Sequence, residues 1–295
     1  MMKRLVAVIM MFASLFVVRA DTETVNGITW NYAIKDGKAT LGDRSGLAIP
    51  VSTSGDIEIP SKLGGMPVTS VGSGAFWGCN KLTGVKIPEG VTSIGLSAFV
   101  DCSSLGNVSI PNSVTSIGQC AFDGCTSLKS VVLPDSVTEI GKFAFEKCSS
   151  LKSAVLPRNI KNIPSGMFYE CTSLENITIP ESVTNIGDTA FYKCRSLNNC
   201  NIPDKVVSIE GCAFFGCNSF TSITIPDSVT SIGGAAFKWC NRLTSVTIPD
   251  SVEDLGDMAF EGCRSLESAT IPMSMPNSSV YKAFKGCPNL KIIRR

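Results

Sequence analysis

The side chains of this chain that most invite a chemical role are its thiols. Cysteines stand at Cys79, Cys102, Cys125, Cys148, Cys171, Cys194, Cys217, Cys240 and Cys263, each 23 residues from the last, with Cys287 one residue late. Thiols in such number suggest a metal ladder or a set of disulfides. A tetrahedral zinc site, however, draws four ligands from converging backbone segments, whereas this column supplies one thiol per period. A uniform column does not call for even pairing either. It reads instead as a small apolar side chain filling the inside of a turn. Cys120, Cys200 and Cys212 fall outside the column. Cys200 takes a core position, whereas Cys120 and Cys212 precede a phenylalanine by two residues and are candidates for exposed thiols.

Carboxylates recur as well. Glu181, Asp204, Asp227 and Asp250 follow the prolines of consecutive periods, so stacking would line them up as an acidic rim about 5 Å apart. A cation or a basic partner would relieve their repulsion; alternatively they are turn residues bonding nearby amides beside Ser182, Ser228 and Ser251. Nothing near them supplies a nucleophile or a differentiated acid and base, so glycoside hydrolysis gains no support. The chain has no histidine, which removes a Ser-His-Asp triad, a Cys-His dyad and any His-ligated metal. No catalytic residue, metal site or cofactor is expected, and the chain does not read as an enzyme. With 26 basic against 25 acidic residues, there is no electrostatic reason to bind nucleic acid or an anionic membrane.

The element that must position these residues is a repeat. Three residues before each cysteine of the column stands a phenylalanine, from Phe76 to Phe284, and all but Phe168 follow alanine; Met167 replaces it there. One unit reads Cys240-x-x-Leu243-x-x-Val246-x-Ile248-Pro249-x-x-Val252-x-x-Leu255-Gly256-x-x-Ala259-Phe260. Leu-x-x-Val-x-Ile alternates like a short strand with its apolar positions inward, and the proline ends it. Glycines 72, 95, 118, 141, 187, 233 and 256 suit a left-handed or tight turn. One unit cannot bury its own apolar edge, but stacked units form a continuous core. The expectation is a repeat solenoid with a parallel sheet.

The unit closely resembles the BspA-like leucine-rich repeat, and the resemblance runs from about Val68 to Leu290. It implies a horseshoe with a concave parallel β-sheet and short turns or 3-10 segments on the convex side. It also implies a secreted or surface protein that binds other proteins, often as an adhesin. Departures are Phe220 for the repeat leucine, Pro164 and Glu210 for the turn glycine, and an extra residue in the last unit.

Two features vary within the repeat. Tyr169, Tyr192 and Phe215 share one position in successive units, and Trp239 stands one residue further along in the next. Such a row can stack on a sugar or anchor a protein, or simply cover the outer turn. On the strand face, mostly Ser, Thr and Asn, Lys129 and Lys152 flank Val132 and Val155, an apolar and basic patch of the kind that marks contacts.

Residues 1–20 read as a secretory signal peptide: Lys3 and Arg4, an apolar run from Leu5 to Val18, and a cleavage site near Ala20. Residues 21–67 form an N-terminal β cap with a degenerate first repeat, and 68–295 hold ten repeats. No membrane span is expected in the mature chain. Leu290 to Arg295 reads as an edge strand open to self-association. The expected function is an exported, non-catalytic scaffold, secreted or on the cell surface, that recognises or adheres to an extracellular or host protein. A self-assembling structural module or a carbohydrate-binding surface protein is the alternative.

Overall fold

The structure, a computed structural model, describes residues 19–42 and 46–295. The signal-peptide reading therefore lies outside the described residues, apart from Arg19 and Ala20. These two open β1 (Arg19–Val25), which pairs antiparallel with β2 (Ile28–Lys35). A tight turn at Asp36-Gly37, both at positive φ, returns the chain into β3 (Lys38–Leu41), as alternating strands joined by Asp-Gly require. After β4 (Gly55–Glu58), a second hairpin turns at Gly64-Gly65, between β5 (Lys62–Leu63) and β6 (Met66–Val71). It accounts for the residues by which this first unit exceeds the period. β6 pairs parallel with β3, so the hairpin sheet covers the first coil.

Beyond the cap the chain is a parallel solenoid of stacked coils. The Leu-x-x-Val-x-Ile segments form one ladder, with pairings such as Ser130↔Ser153 and Val132↔Val155 offset by one period. Its inward residues are buried and its outward ones exposed, as Ser153–Val155 illustrates. A second ladder was not legible as such in the sequence. The residues before the glycine column, Ser93–Ile94, Ser116–Ile117 and Glu139–Ile140, pair in parallel, and Asn162–Ile163 through Asp254–Leu255 do the same further along. The rest of each coil is turn, with one short helix, α1 (Asn277–Ala283), in the last unit.

The core is a column of rings. Phe76 to Phe284 stack coil upon coil, centroids 4.8 to 5.9 Å apart. Trp30 of the cap closes the column edge-on against Phe76 at 6.4 Å. The column cysteines up to Cys263 are fully buried, and all thirteen cysteines are free thiols. From Cys102 to Cys287, each column Sγ–H faces the carbonyl of the preceding coil's phenylalanine at 3.0–3.3 Å. The thiol is thus a small core side chain that also gives a buried carbonyl a weak donor.

The glycine column corrects one expectation. None of Gly72, Gly95, Gly118, Gly141, Gly187, Gly233 or Gly256 has a positive φ; the left-handed positions lie two and six residues later. A Cβ on these glycines would stand 2.2–2.7 Å from backbone of the preceding coil. Glycine is there to let two backbones touch.

Three gaps interrupt the ladders. The strand ladder lapses around Ser222, where only an isolated bridge to Ser245 remains; this is the unit in which the bulkier Phe220 fills the leucine site, tilted against Phe214 at 5.7 Å. It also lapses between Asn107–Ser109 and Ser130–Val132, where nothing in the repeat residues explains it. The second ladder breaks between Glu139–Ile140 and Asn162–Ile163, just before Pro164, which has no N–H to offer Ile140's carbonyl.

Candidate functional site

The aromatic row is real, and its geometry redefines what it can do. Tyr169 stacks on Tyr192 at 4.6 Å, Tyr192 on Phe215 at 4.6 Å, and Phe215 tilts against Trp239 at 4.9 Å. Phe143, overlooked because it precedes the repeat alanine, adds an edge contact to Tyr169 at 6.4 Å. Sugar stacking needs an open ring face, and within this stack each inner face is taken by the next ring. The open member is Trp239, 49% exposed at the end of the row, with Lys238 Nζ 5.4 Å from its ring. Tyr169, Tyr192 and Phe215 are half-buried and present edges. Trp239 itself has φ of +61°. Its indole overlies Gly262, where a Cβ would come within 2.5 Å, so the next coil's glycine makes room for the ring.

On the strand face, Val132 and Val155 are direct cross-strand partners, 62% and 55% exposed. Lys129 and Lys152 are exposed beside them, and Lys152 pairs with Glu175 at 3.5 Å. The structure therefore joins these four residues in one patch, on a different part of the coil from the aromatic row.

The rim carboxylates Glu181, Asp204, Asp227 and Asp250 are all exposed. Asp250 has a long ion pair to Arg295 at 4.0 Å. The turn chemistry next to them is done by the serines, whose hydroxyls donate to carbonyls of the preceding coil: Ser182 to Ile160, Ser228 to Val206 and Ser251 to Val229, at 2.6–2.7 Å. Among the described residues no group of three or more acidic or cysteine side chains is arranged to hold a metal ion.

Thiol chemistry is suppressed by burial, which pushes Cys79 up to about 11 and raises Cys125, Cys148, Cys217 and Cys240 well above the usual thiol range. Cys200 is core, as expected, while Cys120 and Cys212 are half-buried at left-handed positions. A thiolate nucleophile needs the opposite environment.

A carboxyl in the aromatic row's own column is perturbed. Asp123 is pushed up to about 6, chiefly by burial and next by Glu146 in the following coil; Asp101 adds to this and Lys147 opposes it. A carboxyl that holds its proton more tightly when folded opposes folding once ionised, so Asp123 weakens the fold above about pH 6. The effect vanishes as pH falls toward its ordinary range near ~4. Asp123→Asn is therefore expected to raise the thermal midpoint at pH 7.5 and to change it little at pH 4, read by melting curves at both. Equal shifts at the two pH values would refute this assignment.

A cleft of about 810 Å³ was not visible in the sequence. It lies at the break in the second ladder, lined by Ile140, Pro164, Asn185 and Glu210 among others. The signal that located it was already in the repeat: Pro164 and Glu210, both in its lining, stand where their neighbouring coils have the glycine.

A family model for the BspA type leucine rich repeat region matches residues 69–198 and 184–294, in six copies. A leucine rich repeat protein of T. pallidum is 29% identical, with a TM-score of 0.59 over 75% of this chain and 90% of that one. A leucine rich cell surface protein of Faecalibacterium prausnitzii A2-165 is 27% identical, with a TM-score of 0.52 over 93% of this chain and 94% of that one. No curated protein matches.

Proposed function

The chain belongs to the BspA-type leucine-rich repeat family, and on that premise we propose that it is an exported, non-catalytic scaffold that recognises an extracellular protein. One observation carries the reading. The residues fixed by the period are buried, while the variable ones lie on a regular exposed surface that includes Val132, Val155 and Trp239. Such a division suits a rigid framework displaying a contact surface. The buried, strongly raised thiols and the lack of histidine support a non-catalytic role. The resemblance to a cell surface protein of F. prausnitzii supports a place outside the cell, and no helix among the described residues is long and apolar enough to cross a membrane.

The test is capture of extracellular proteins and glycans by residues 21–295 on beads. A Val132→Ser/Val155→Ser variant and a Trp239→Ser variant serve as controls. Serine and threonine occupy the equivalent strand position in neighbouring coils, as at Ser109 and Thr178, so the first variant keeps the fold. A captured protein is expected to lose at least about tenfold in affinity in one of the two, as for a contact anchor. Retention by both variants would remove these surfaces from the reading. Capture of glycans alone would favour a carbohydrate-binding protein, and capture of nothing but its own copies would favour assembly through the exposed Lys291–Arg294 strand.

A further inference from the structure

The break in the second ladder is a specific opening between two coils. Elsewhere in this ladder two main-chain rungs recur. One runs from the residue three before the glycine site to the matching carbonyl below, as in Thr115 N–H to Thr92, Thr138 to Thr115 and Thr184 to Lys161, at 2.8–2.9 Å. The other runs from the glycine-site N–H, as in Gly141 to Ile117 and Gly187 to Ile163, at 2.8–2.9 Å. Between the coils of Ile140 and Pro164 neither is made: Lys161 N–H does not reach Thr138, and Pro164 has no N–H for Ile140.

The cause is in the coil's own residues. At the glycine site a Cβ on Gly141 would lie 2.2 Å from Gln119 N, yet Glu210 occupies the same site two coils on and keeps its N–H rung to Ile186 at 2.9 Å. What sets Pro164 apart is therefore its ring and its missing N–H. Met167, fully buried, fills a site that alanine occupies in the neighbouring coils. Just past Pro164 the rungs resume, Phe143 N–H to Ser165 and Phe145 N–H to Met167, both at 3.0 Å, so the missing rungs are confined to the second ladder, with a smaller widening in the core. The Phe145–Phe168 rings stand 5.9 Å apart and 15° out of parallel, against 4.8–5.2 Å and 1–2° in the three preceding pairs. Ile140 is only partly buried, while Ile94, Ile117, Ile163 and Ile186 of its column are at most 2% exposed.

The opening also holds an unanswered polar group. Glu210 accepts from Asn185 Nδ2 at 2.6 Å and from Asp188 N–H at 2.9 Å, which fixes the Asn185 amide. Asn185 Oδ1 is then left buried with no donor. Buried acceptors are almost always paired.

We propose that this cleft is a peptide-binding site, which takes an extended segment of a partner protein as an added strand between the coils of Ile140 and Pro164. The proposal deepens the protein-recognition reading and rests on it. An extended chain would give N–H groups to the Thr138 and Ile140 carbonyls, two residues apart as the strand repeat requires, and a carbonyl to Lys161 N–H. A side chain of the segment that turns inward meets Ile140, so an apolar residue fits there. A neighbouring amide, hydroxyl or ammonium group supplies the donor for Asn185 Oδ1. A glycan is the weaker occupant, because none of the described lining residues is aromatic. The volume lies within the usual range for ligand sites, about 300–1,000 Å³.

The decisive variant restores the repeat: Pro164→Gly with Met167→Ala. It lets the coils close, so it is expected to keep or gain thermal stability while the site disappears. The full chain is panned against random peptides displayed on phage, and enriched peptides are titrated against wild type, the double variant and Asn185→Ala. Peptides are expected to weaken by at least about tenfold in the double variant, the equivalent of roughly one or two lost main-chain hydrogen bonds. Bound peptide is also expected to slow hydrogen exchange at the Lys161 amide in wild type, while the double variant shows that protection without peptide. Asn185→Ala, which leaves the ladder as it is, weakens the same peptides in a folded control. Peptides that bind wild type and the double variant equally would overturn the proposal, as would a Lys161 amide already protected in free wild type. So would glycans, and no peptides, that distinguish the two proteins. If the bead capture finds a protein partner that the double variant still binds, this inference fails and the recognition reading stands. If neither proteins nor peptides bind, both fail.

Discussion

Phe237→Ala is expected to lose about 3–5 kcal/mol of stability, the range for deleting a large buried ring without collapse of the site. Phe237 is fully buried, stacked at 5.2 Å on Phe214 and 5.1 Å on Phe260. Removing it deletes two stacking contacts together with the transfer energy of the ring, and the coils above and below are held apart by their own backbone rungs. In a repeat array such a loss stays local, because each coil contacts only its neighbours. The expected readout is therefore an early transition in Trp239 fluorescence under denaturant, with amides around Phe237 exchanging faster than those around Phe99. A single unshifted transition would mean that the ring column is not the main support of these coils.

Gly141→Ala is expected to be nearly as damaging, by about 3 kcal/mol or more, because overpacking is relieved only when something can move. The added Cβ would stand 2.2 Å from Gln119 N and 2.5 Å from Gly118 C. Both are backbone atoms in a ladder, with Gly141 N–H bonded to Ile117 O at 2.8 Å. The contrast is Gly78→Ala. Gly78 has a φ of +71° and nothing within 4 Å of its would-be Cβ, so only the left-handed strain applies, at about 1 kcal/mol. Thermal melts of the two variants separate the causes. Similar losses would mean that the column is glycine for its backbone conformation and not for the close approach of two chains.

That distinction marks where reading by residue type stopped. The seven column glycines suggested a turn needing special φ, since conformation is the commoner use of glycine. Only stacking brings one coil's backbone against the next, and no spacing within a single unit reveals it. The aromatic row is similar. Its members were evident from Tyr169, Tyr192 and Phe215 sharing a repeat position, but an open face and a covered one give the same letter. The 4.6 Å stacking converts the inner rings from contact surfaces into edges and leaves Trp239 as the open end. The strand patch was legible in full, because alternation alone decides that Val132 and Val155 point outward while Val131 and Ala154 point in.

By itself, the sequence determined the solenoid: a strict period fixes which side chains face the core, and a core shared between identical units leaves stacking as the way to bury it. It also determined the buried character of the cysteine column and the places where the period is violated. The tertiary structure decided what each violation does. Phe220 coincides with a lapse in the strand ladder, Glu210 turns its carboxylate to fix Asn185, and Pro164 interrupts the second ladder at a cleft between two coils. These outcomes depend on how far one coil can approach the next, a distance of a few tenths of an ångström set by atoms a full period away.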